Sequence, residues 1–396
     1  MFKKIALIPV LSLCCMVSAF EISTDFPGGN IEVLEKSDNG AKVAQQIRDT
    51  SEWWFYWNFE VSGAAGKTLE FKFANGDPIG SFGPAASYDG GKTWEWLGAG
   101  CVKRGKDTSS FKVSIPQNAQ SARFAFCIPY MPADFDALAK EIPSLKKHPL
   151  CKTRKGRENY YYTLGNPDGK LKIFLTSRHH ACESTGTYVM EGILRELAKN
   201  GSGASRLLED AEIIAVPFMD LDGVVEGDQG KYRKPHDHNR DYSESPIYPS
   251  VAAFKSLYNK ASESAEKVVA LDLHSPWMFR GGKSDTNNRA YFVEPLGAKL
   301  ENLRRFSGLL ESETMKGEGR IVHKSGWNVK YGTLWNKGNA IKSRTFSVWT
   351  GTHPKAEFTS SFETPYSENE GAMITRENLL GLGADFAKAL EKYFRQ

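Results

Sequence analysis

The chain lacks a long apolar run after its first twenty residues, and it lacks a strong charge of either sign. Its 51 lysines and arginines nearly balance its 47 acidic residues, which leaves a formal net charge of +4. Such a balance argues against a surface built to bind nucleic acid. The missing apolar runs argue against a membrane-spanning helix, which needs about 20 consecutive apolar residues. We therefore expect no nucleic-acid partner and no membrane span.

Cysteine is also scarce, with six residues in a chain of 396. Two of them lie within the first 19 residues, and the others are Cys101, Cys127, Cys151 and Cys182. An oxidising compartment would permit disulfides among the first three of these four. Their spacing does not fix a pairing, so the sequence predicts no particular connectivity.

Residues 1–19 have the pattern of a secretory signal peptide. Two lysines precede an apolar stretch from Ile5 to Val17, and small residues precede Phe20. Removing these lysines lowers the formal charge from +4 to about +2. A lipoprotein is the alternative because of Cys14, but Leu13 stands where that signal requires a small residue. We expect an exported protein, either periplasmic or secreted.

Residues 20–130 have the sequence pattern of a β-sandwich domain. Alternating or aromatic-rich strands are predicted at 53–61, 69–73, 111–115 and 122–126, with Gly, Asn, Asp and Pro turns between them. The aromatic run 53–57 fits a carbohydrate platform or a packed core. Core packing is the commoner use of such side chains, so we favour it.

From residue 151 the pattern changes to alternating strands and helices, and residues 131–150 are predicted to connect the two parts. Strands are predicted at 170–177, 211–218, 267–274, 289–294, 344–349 and 357–363. Helices are predicted at 185–199 and 375–395. The pattern favours an α/β sandwich with a mixed sheet over 151–396, and ligands bind such sheets at the carboxyl ends of the strands.

Polar side chains occur at the predicted ends of three of these strands. His180 and Glu183 follow the apolar run 171–176, His274 ends the run 268–273, and Glu363 ends a later strand. Zinc accepts imidazole nitrogen and carboxylate oxygen, and a catalytic zinc has three protein ligands and one open position. The pattern therefore indicates a metal site. Cys182, inside the same motif, is a less favoured ligand.

The segment Asp237-His238-Asn239-Arg240 adds a D-x-N-R motif between the H-x-x-E motif and the late histidine. This order resembles that of the M14 family of zinc carboxypeptidases over roughly residues 150–396. The preceding β-rich domain and the G-x-x-R element at 230–233 look most like the cytosolic-carboxypeptidase branch of that family.

The resemblance implies a role for each matching residue. His180, Glu183 and His274 would bind one zinc ion, and Asp237 would orient His180. Asn239 and Arg240 would hold the terminal carboxylate of the substrate. Arg233 would polarise the scissile carbonyl, and Glu363 would be the general base that deprotonates the attacking water.

The activity implied is release of a C-terminal amino acid from a peptide by zinc-assisted hydrolysis. Basic residues before the general base, Lys342, Arg344 and Lys355, suggest an acidic terminal residue, and solvated surface lysines explain them equally well. A cell-wall peptide is another expected substrate for an exported enzyme. Two alternatives remain: a zinc amidohydrolase that deacylates a small N-acyl amino acid, and a non-catalytic protein that binds through its β-domain.

Overall fold

The computed structural model describes residues 20–395 except 52, 107, 283–284, 297–298 and 338–343. The predicted signal peptide and Lys342 lie outside the described residues. Among the helices that are described, none combines the length and the apolar character needed to cross a bilayer.

Two five-stranded sheets form the N-terminal domain. In spatial order, the first sheet contains β1 (Glu21–Ser23), β4 (Asn58–Ser62), β10 (Ser121–Ala125), β6 (Ala85–Ser87) and β7 (Glu95–Trp96). The second contains β2 (Glu32–Ser37), β3 (Gly40–Ala44), β5 (Thr68–Phe73), β9 (Ser109–Ser114) and β8 (Val102–Arg104). Along β5, buried Leu69, Phe71 and Phe73 alternate with exposed residues, which is the period of a strand with one face on a core.

The core between these sheets is aromatic. The Phe71 ring lies 5.0 Å from that of Phe59 on the other sheet, which is the separation of an edge-to-face pair. Of the predicted strand 53–61, only its second half is a strand, β4. Residues 54–57 precede it and are buried, so the structure supports core packing over a carbohydrate platform.

Residues 131–150 are not a simple connector, and here the structure corrects the sequence prediction. They contain α1 (Pro132–Glu141) and most of β11 (Lys146–Lys152). β11 pairs with the next strand in the sheet of the second domain. Phe135 and Leu138 of α1 are buried in the core of that domain, and this apolar face is why the segment folds with it.

The second domain is built on a mixed sheet, as predicted, and this sheet has seven strands. Its strands, in spatial order, are β11, β12 (Glu158–Gly165), β14 (Ala211–Val216), β13 (Leu171–Ser177), β15 (Lys267–His274), β17 (Ala356–Glu363) and β16 (Tyr291–Val293). The four strands β14, β13, β15 and β17 are parallel, and the outer strands are antiparallel to their neighbours. A separate hairpin joins β18 (Glu368–Asn369) and β19 (Ala372–Met373).

Helices cover both faces of this sheet, which explains why β13 is buried along its whole length. The described helices after α1 are α2 (Ser184–Ala198), α3 (Leu221–Glu226), α4 (Pro249–Glu263), α5 (Leu300–Thr314), α6 (Phe346–Gly351) and α7 (Arg376–Arg395). Side chains of α2, α5 and α7 pack in one apolar cluster with Ile173 and Leu175. Those of α4 and α6 pack in another with Phe174.

The predicted helices at 185–199 and 375–395 are confirmed as α2 and α7, whereas the predicted strand at 344–349 is wrong. This segment forms α6, although its aromatic and β-branched residues are typical of strands. The Thr345 side chain accepts a hydrogen bond from the Val348 amide, which caps the helix start. Phe346 and Thr350 are both buried, and their separation of four residues places them on one face of a helix.

Candidate metal centre

The carboxyl ends of three neighbouring parallel strands, β13, β15 and β17, meet at one edge of the sheet. His274 is the last residue of β15 and is directly opposite Glu363, the last residue of β17. The loop after β13 brings His180 and Glu183 to the same edge. The sheet order therefore brings together four side chains from three distant parts of the sequence.

His180, Glu183 and His274 offer three ligand atoms that all lie within 4.8 Å of one another. The Glu183 carboxylate lies between the two imidazoles, with Oε1 2.8 Å from His180 Nδ1 and Oε2 2.7 Å from His274 Nδ1. Two imidazole nitrogens and a carboxylate form the ligand set of a catalytic zinc, which leaves a position open. The residues present therefore fit zinc, and Nδ1 of each histidine is the nitrogen that faces the site.

A second group, His179 with Asp272 and His274, also lies within this distance. Its members are already bonded to one another: His179 Nδ1 lies 2.8 Å from Asp272 Oδ1, and Asp272 Oδ2 contacts His274 Nε2. All three are buried. We assign this group to the support of His274, because its carboxylate already accepts hydrogen bonds from both imidazoles.

The D-x-N-R residues lie beside the metal group. Asp237 Oδ1 is 3.6 Å from His180 Nε2, on the ring nitrogen that does not face Glu183; this distance is long for a hydrogen bond. The Asn239 amide nitrogen lies 3.2 Å from His274 Nε2, and its oxygen accepts a hydrogen bond from the Phe346 amide. Arg240 is exposed, and its one described hydrogen bond runs from Nη1 to the Asn239 carbonyl at 3.3 Å. The arrangement leaves its guanidinium available for an anion.

Arg233 is not placed among the metal-site residues, in contrast to the role predicted from the sequence. Its guanidinium contacts three carboxylates: those of Asp220 at 2.8 Å, Asp228 at 3.1 Å and Asp49 at 3.3 Å. Burial acts against its charge, but these carboxylates outweigh burial and raise its pKa. Its two terminal nitrogens are therefore engaged by carboxylates from both domains.

Lys231 is the cation that the structure places at the metal group, and the sequence prediction missed it. Its buried Nζ lies 2.6 Å from Glu183 Oε1 and donates to the Ser275 carbonyl at 2.7 Å. Burial alone would raise the pKa of Glu183, yet Lys231, His180 and His274 together hold it well below its usual value. The G-x-x-R element predicts a role for its arginine, Arg233. The lysine within the same element, Lys231, is the residue that contacts the metal group.

Glu363 is buried beside this group, and its Oε2 has no hydrogen-bond partner among the described residues. Burial raises its pKa, and nearby Glu183 raises it further against the opposing effects of His274 and Lys231. A carboxylate oxygen that lies beside the metal group and has no hydrogen-bond partner is suited to accept a proton. Tyr291, its cross-strand partner on β16, is a buried phenol that the sequence prediction did not include.

Cys182 points away from the metal group. Its Sγ lies 3.4 Å from the Tyr366 hydroxyl, in the apolar cluster that continues from the N-terminal domain. The four described cysteines are all free.

Two family models match this chain. Residues 22–126 match the cytosolic carboxypeptidase N-terminal domain, and residues 131–275 match the zinc carboxypeptidase domain of M14 peptidases. The chain therefore contains an M14 zinc carboxypeptidase domain, preceded by the N-terminal domain of cytosolic carboxypeptidases. Among M14 relatives, cytosolic carboxypeptidase 3 of Mus musculus is 30% identical over 40% of this chain and 17% of its own length. Cytosolic carboxypeptidase 6 of Caenorhabditis elegans is 30% identical over 41% of this chain and 38% of its own. The chain thus matches well under half of either relative.

Solved bacterial structures share the whole fold. A metallo-carboxypeptidase from Burkholderia cenocepacia superposes with a TM-score of 0.78 at 19% identity, covering 95% of this chain and 99% of its own. A metallo-carboxypeptidase from Pseudomonas aeruginosa, in complex with (2-guanidinoethylmercapto)succinic acid, gives 0.77 at 19% identity over 95% and 99%. At this identity the likeness establishes the two-domain architecture alone.

Proposed function

We propose that this protein is a zinc metallocarboxypeptidase that hydrolyses the C-terminal peptide bond of a peptide. The observation that carries the proposal is the convergence of His180, Glu183 and His274 on one point beside the unpartnered Glu363 carboxylate. The match of residues 131–275 to the zinc carboxypeptidase domain supports the same reaction class.

Glu363 is the general base of the proposed reaction. A zinc ion held by the three ligands would polarise the scissile carbonyl and make an attacking water more acidic. The raised pKa of Glu363 makes this carboxylate a stronger base than an exposed one. Having taken the proton from the water, Glu363 can deliver it to the leaving amine.

Arg240 and Lys231 interact with two different parts of the substrate, its terminal carboxylate and its scissile carbonyl. The exposed Arg240 guanidinium suits the terminal carboxylate, because its planar donors match two carboxylate oxygens. Lys231 Nζ, next to Glu183, is placed to stabilise negative charge that develops on the scissile carbonyl oxygen. Arg233, fixed between three carboxylates, has a structural role instead.

Two of the basic residues expected to select the C-terminal residue can be located in the structure. Lys355 does not face the metal group, since its Nζ donates to the carbonyls of Ser262 and Glu263 at the end of α4. Arg344 is exposed and remains a candidate for binding an acidic terminal side chain. Cell-wall peptides are the other proposed substrate, and this proposal rests on the predicted export to the periplasm or the medium.

The experiment is to purify the mature protein, measure bound zinc and follow amino-acid release from peptides with varied C-termini, including cell-wall peptides. We expect about one zinc per chain and release of the terminal residue only. In Glu363→Gln, zinc should remain bound while turnover falls at least about 100-fold. Bound zinc with no release from any peptide would disprove the carboxypeptidase. Release of an acyl group from N-acyl amino acids instead would favour the amidohydrolase.

A further inference from the structure

The segment 225–234, which contains Lys231, is held by the N-terminal domain along most of its length. The Asn30 side-chain amide donates to the Gly227 carbonyl at 2.7 Å, and the Gly28 amide donates to the Val225 carbonyl at 2.8 Å. At the other end, the Ser51 amide donates to the Tyr232 carbonyl at 3.0 Å. The segment belongs to the second domain in sequence, but its backbone is bonded to the first.

Gln229 is the central residue of this junction. It is completely buried, its Oε1 accepts from the Phe55 amide at 2.7 Å, and its Nε2 donates to the Trp53 carbonyl at 3.0 Å. Its own backbone carbonyl accepts from the Cys182 amide at 3.0 Å, within the H-x-x-E motif. One residue thus joins the N-terminal domain to the loop that carries two predicted zinc ligands.

The next two residues transfer this constraint to the metal group. Gly230 has φ +80°, and a Cβ there would lie 2.3 Å from the Ala181 amide nitrogen, so its backbone packs directly on the His180 loop. Lys231 follows, and its Nζ reaches Glu183 Oε1. A shift of the Gln229 backbone would therefore move the Lys231 ammonium relative to the metal ligands.

We propose that the N-terminal domain is a working part of the active site, and that Gln229 is the positioning residue through which it fixes Lys231. The inference rests on the proposed function of Lys231 at the scissile carbonyl. It assigns the β-sandwich the task of holding a charged group in place, because Gln229 depends on backbone groups at 53–56 that only a folded N-terminal domain presents.

The test is Gln229→Met, which keeps the side-chain length and removes its hydrogen bonds. We expect kcat to fall at least about tenfold, because displacement of a charged group weakens transition-state stabilisation. Zinc affinity should not change. The loss should disappear in a Lys231→Met background, since two changes that act through one group are not additive.

Gln45→Met is the matched control. Gln45 is also buried and also donates to the 53–56 backbone, at the Trp54 carbonyl, but it has no described contact with segment 225–234. It should leave kcat unchanged. If Gln229→Met fails to fold, Gln229→Asn, which keeps the amide but is too short for both contacts, replaces it.

A readout independent of turnover comes from NMR of the full-length protein with ¹⁵N-labelled lysine. The buried Lys231 ammonium, assigned through Lys231→Arg, should give a signal protected from solvent exchange that is lost in Gln229→Met and retained in Gln45→Met. An unchanged signal together with unchanged kcat would overturn the inference. A lost signal in a protein that releases no amino acid would retain the positioning role and refute the proposed function.

Discussion

The Asp272 carboxylate contacts Nε2 of His274, two residues along the same strand, while Nδ1 of that ring faces Glu183. His179 Nδ1 also contacts Asp272, at 2.8 Å, and its Nε2 lies 2.7 Å from the Tyr242 hydroxyl. One assignment of protons satisfies the contacts of Asp272 with the two imidazoles and of Tyr242 with His179. Tyr242 donates to His179, both histidines donate to Asp272, and Nδ1 of His274 keeps its lone pair for a metal.

This assignment predicts that Asp272→Asn weakens zinc binding. The Asn oxygen can replace one carboxylate oxygen, but its NH₂ group would donate to His274 Nε2 and favour the tautomer with hydrogen on Nδ1. We expect zinc affinity to fall about 10- to 100-fold, the usual effect of removing a carboxylate that orients a histidine ligand. Competition with a chromophoric chelator measures it.

Asp385→Asn is the control for this substitution. Asp385, on α7, is another buried acid; it pairs with Arg320 and has no described salt bridge or hydrogen bond to the metal group. It should lower thermal stability and leave zinc affinity unchanged. Equal zinc affinities in Asp272→Asn and the unaltered protein would refute the proton assignment.

The ligand set and the general base were predictable from the sequence because each of these residues follows a strand pattern that the fold preserves. His180, Glu183, His274 and Glu363 lie at the ends of parallel strands, and parallel neighbours must bring their carboxyl ends together. Their geometry agrees with the assignment, which remains a prediction until a metal is measured.

The cation was not predictable, because it depends on contacts between the domains. Sequence spacing offers Lys231 and Arg233 equally, and a motif reading favours the arginine. What separates them is that Asp49, from the N-terminal domain, joins Asp220 and Asp228 around Arg233. Likewise, α6 contains residue types that favour strands, and its helical structure is explained by tertiary packing rather than by these preferences.

Lys231→Met and Arg233→Met should therefore fail in different ways. Loss of Lys231 should lower kcat of the folded enzyme about 100-fold, whereas Lys231→Arg should restore part of the rate. Loss of Arg233 leaves three clustered carboxylates without their cation, which should cost about 3 kcal/mol of unfolding free energy. Urea unfolding and kcat of the folded enzyme separate the two. A larger kcat loss in Arg233→Met than in Lys231→Met would return the catalytic role to Arg233.

Arg240→Gln should selectively weaken binding of substrates with a free C-terminal carboxylate. Removing a charge-assisted hydrogen-bond donor costs about 1.5–3 kcal/mol, so kcat/KM should fall roughly 10- to 100-fold. Inhibition by free amino acids should weaken in parallel, while zinc affinity stays the same. Lys355→Gln is the comparison, because this lysine caps α4 and should not affect KM. Equal KM values for Arg240→Gln and the unaltered enzyme would exclude the carboxylate role.

Buried His323 should make the fold sensitive to acid. Its Nδ1 donates to the Ala290 carbonyl at 2.9 Å, and its Nε2 lies 2.8 Å from the Ser307 hydroxyl. Burial lowers its pKa from 6.5 to about 4. Between these values the unfolded chain binds a proton that the native state does not. The contribution of neutral His323 to the free energy of unfolding is therefore fully present above pH 6.5. As the pH falls toward 4, on the order of 3 kcal/mol of this contribution is lost.

The check is urea unfolding of the metal-free protein from pH 7.5 to 4, so that zinc release does not contribute. His323→Gln keeps a donor and an acceptor but cannot be protonated in this range. It should start less stable at pH 7.5 and then lose less stability than the unaltered protein as the pH falls. Other buried histidines, such as His179, titrate in both proteins and cancel in the difference. Parallel stability curves would show that His323 is not the source of the acid sensitivity.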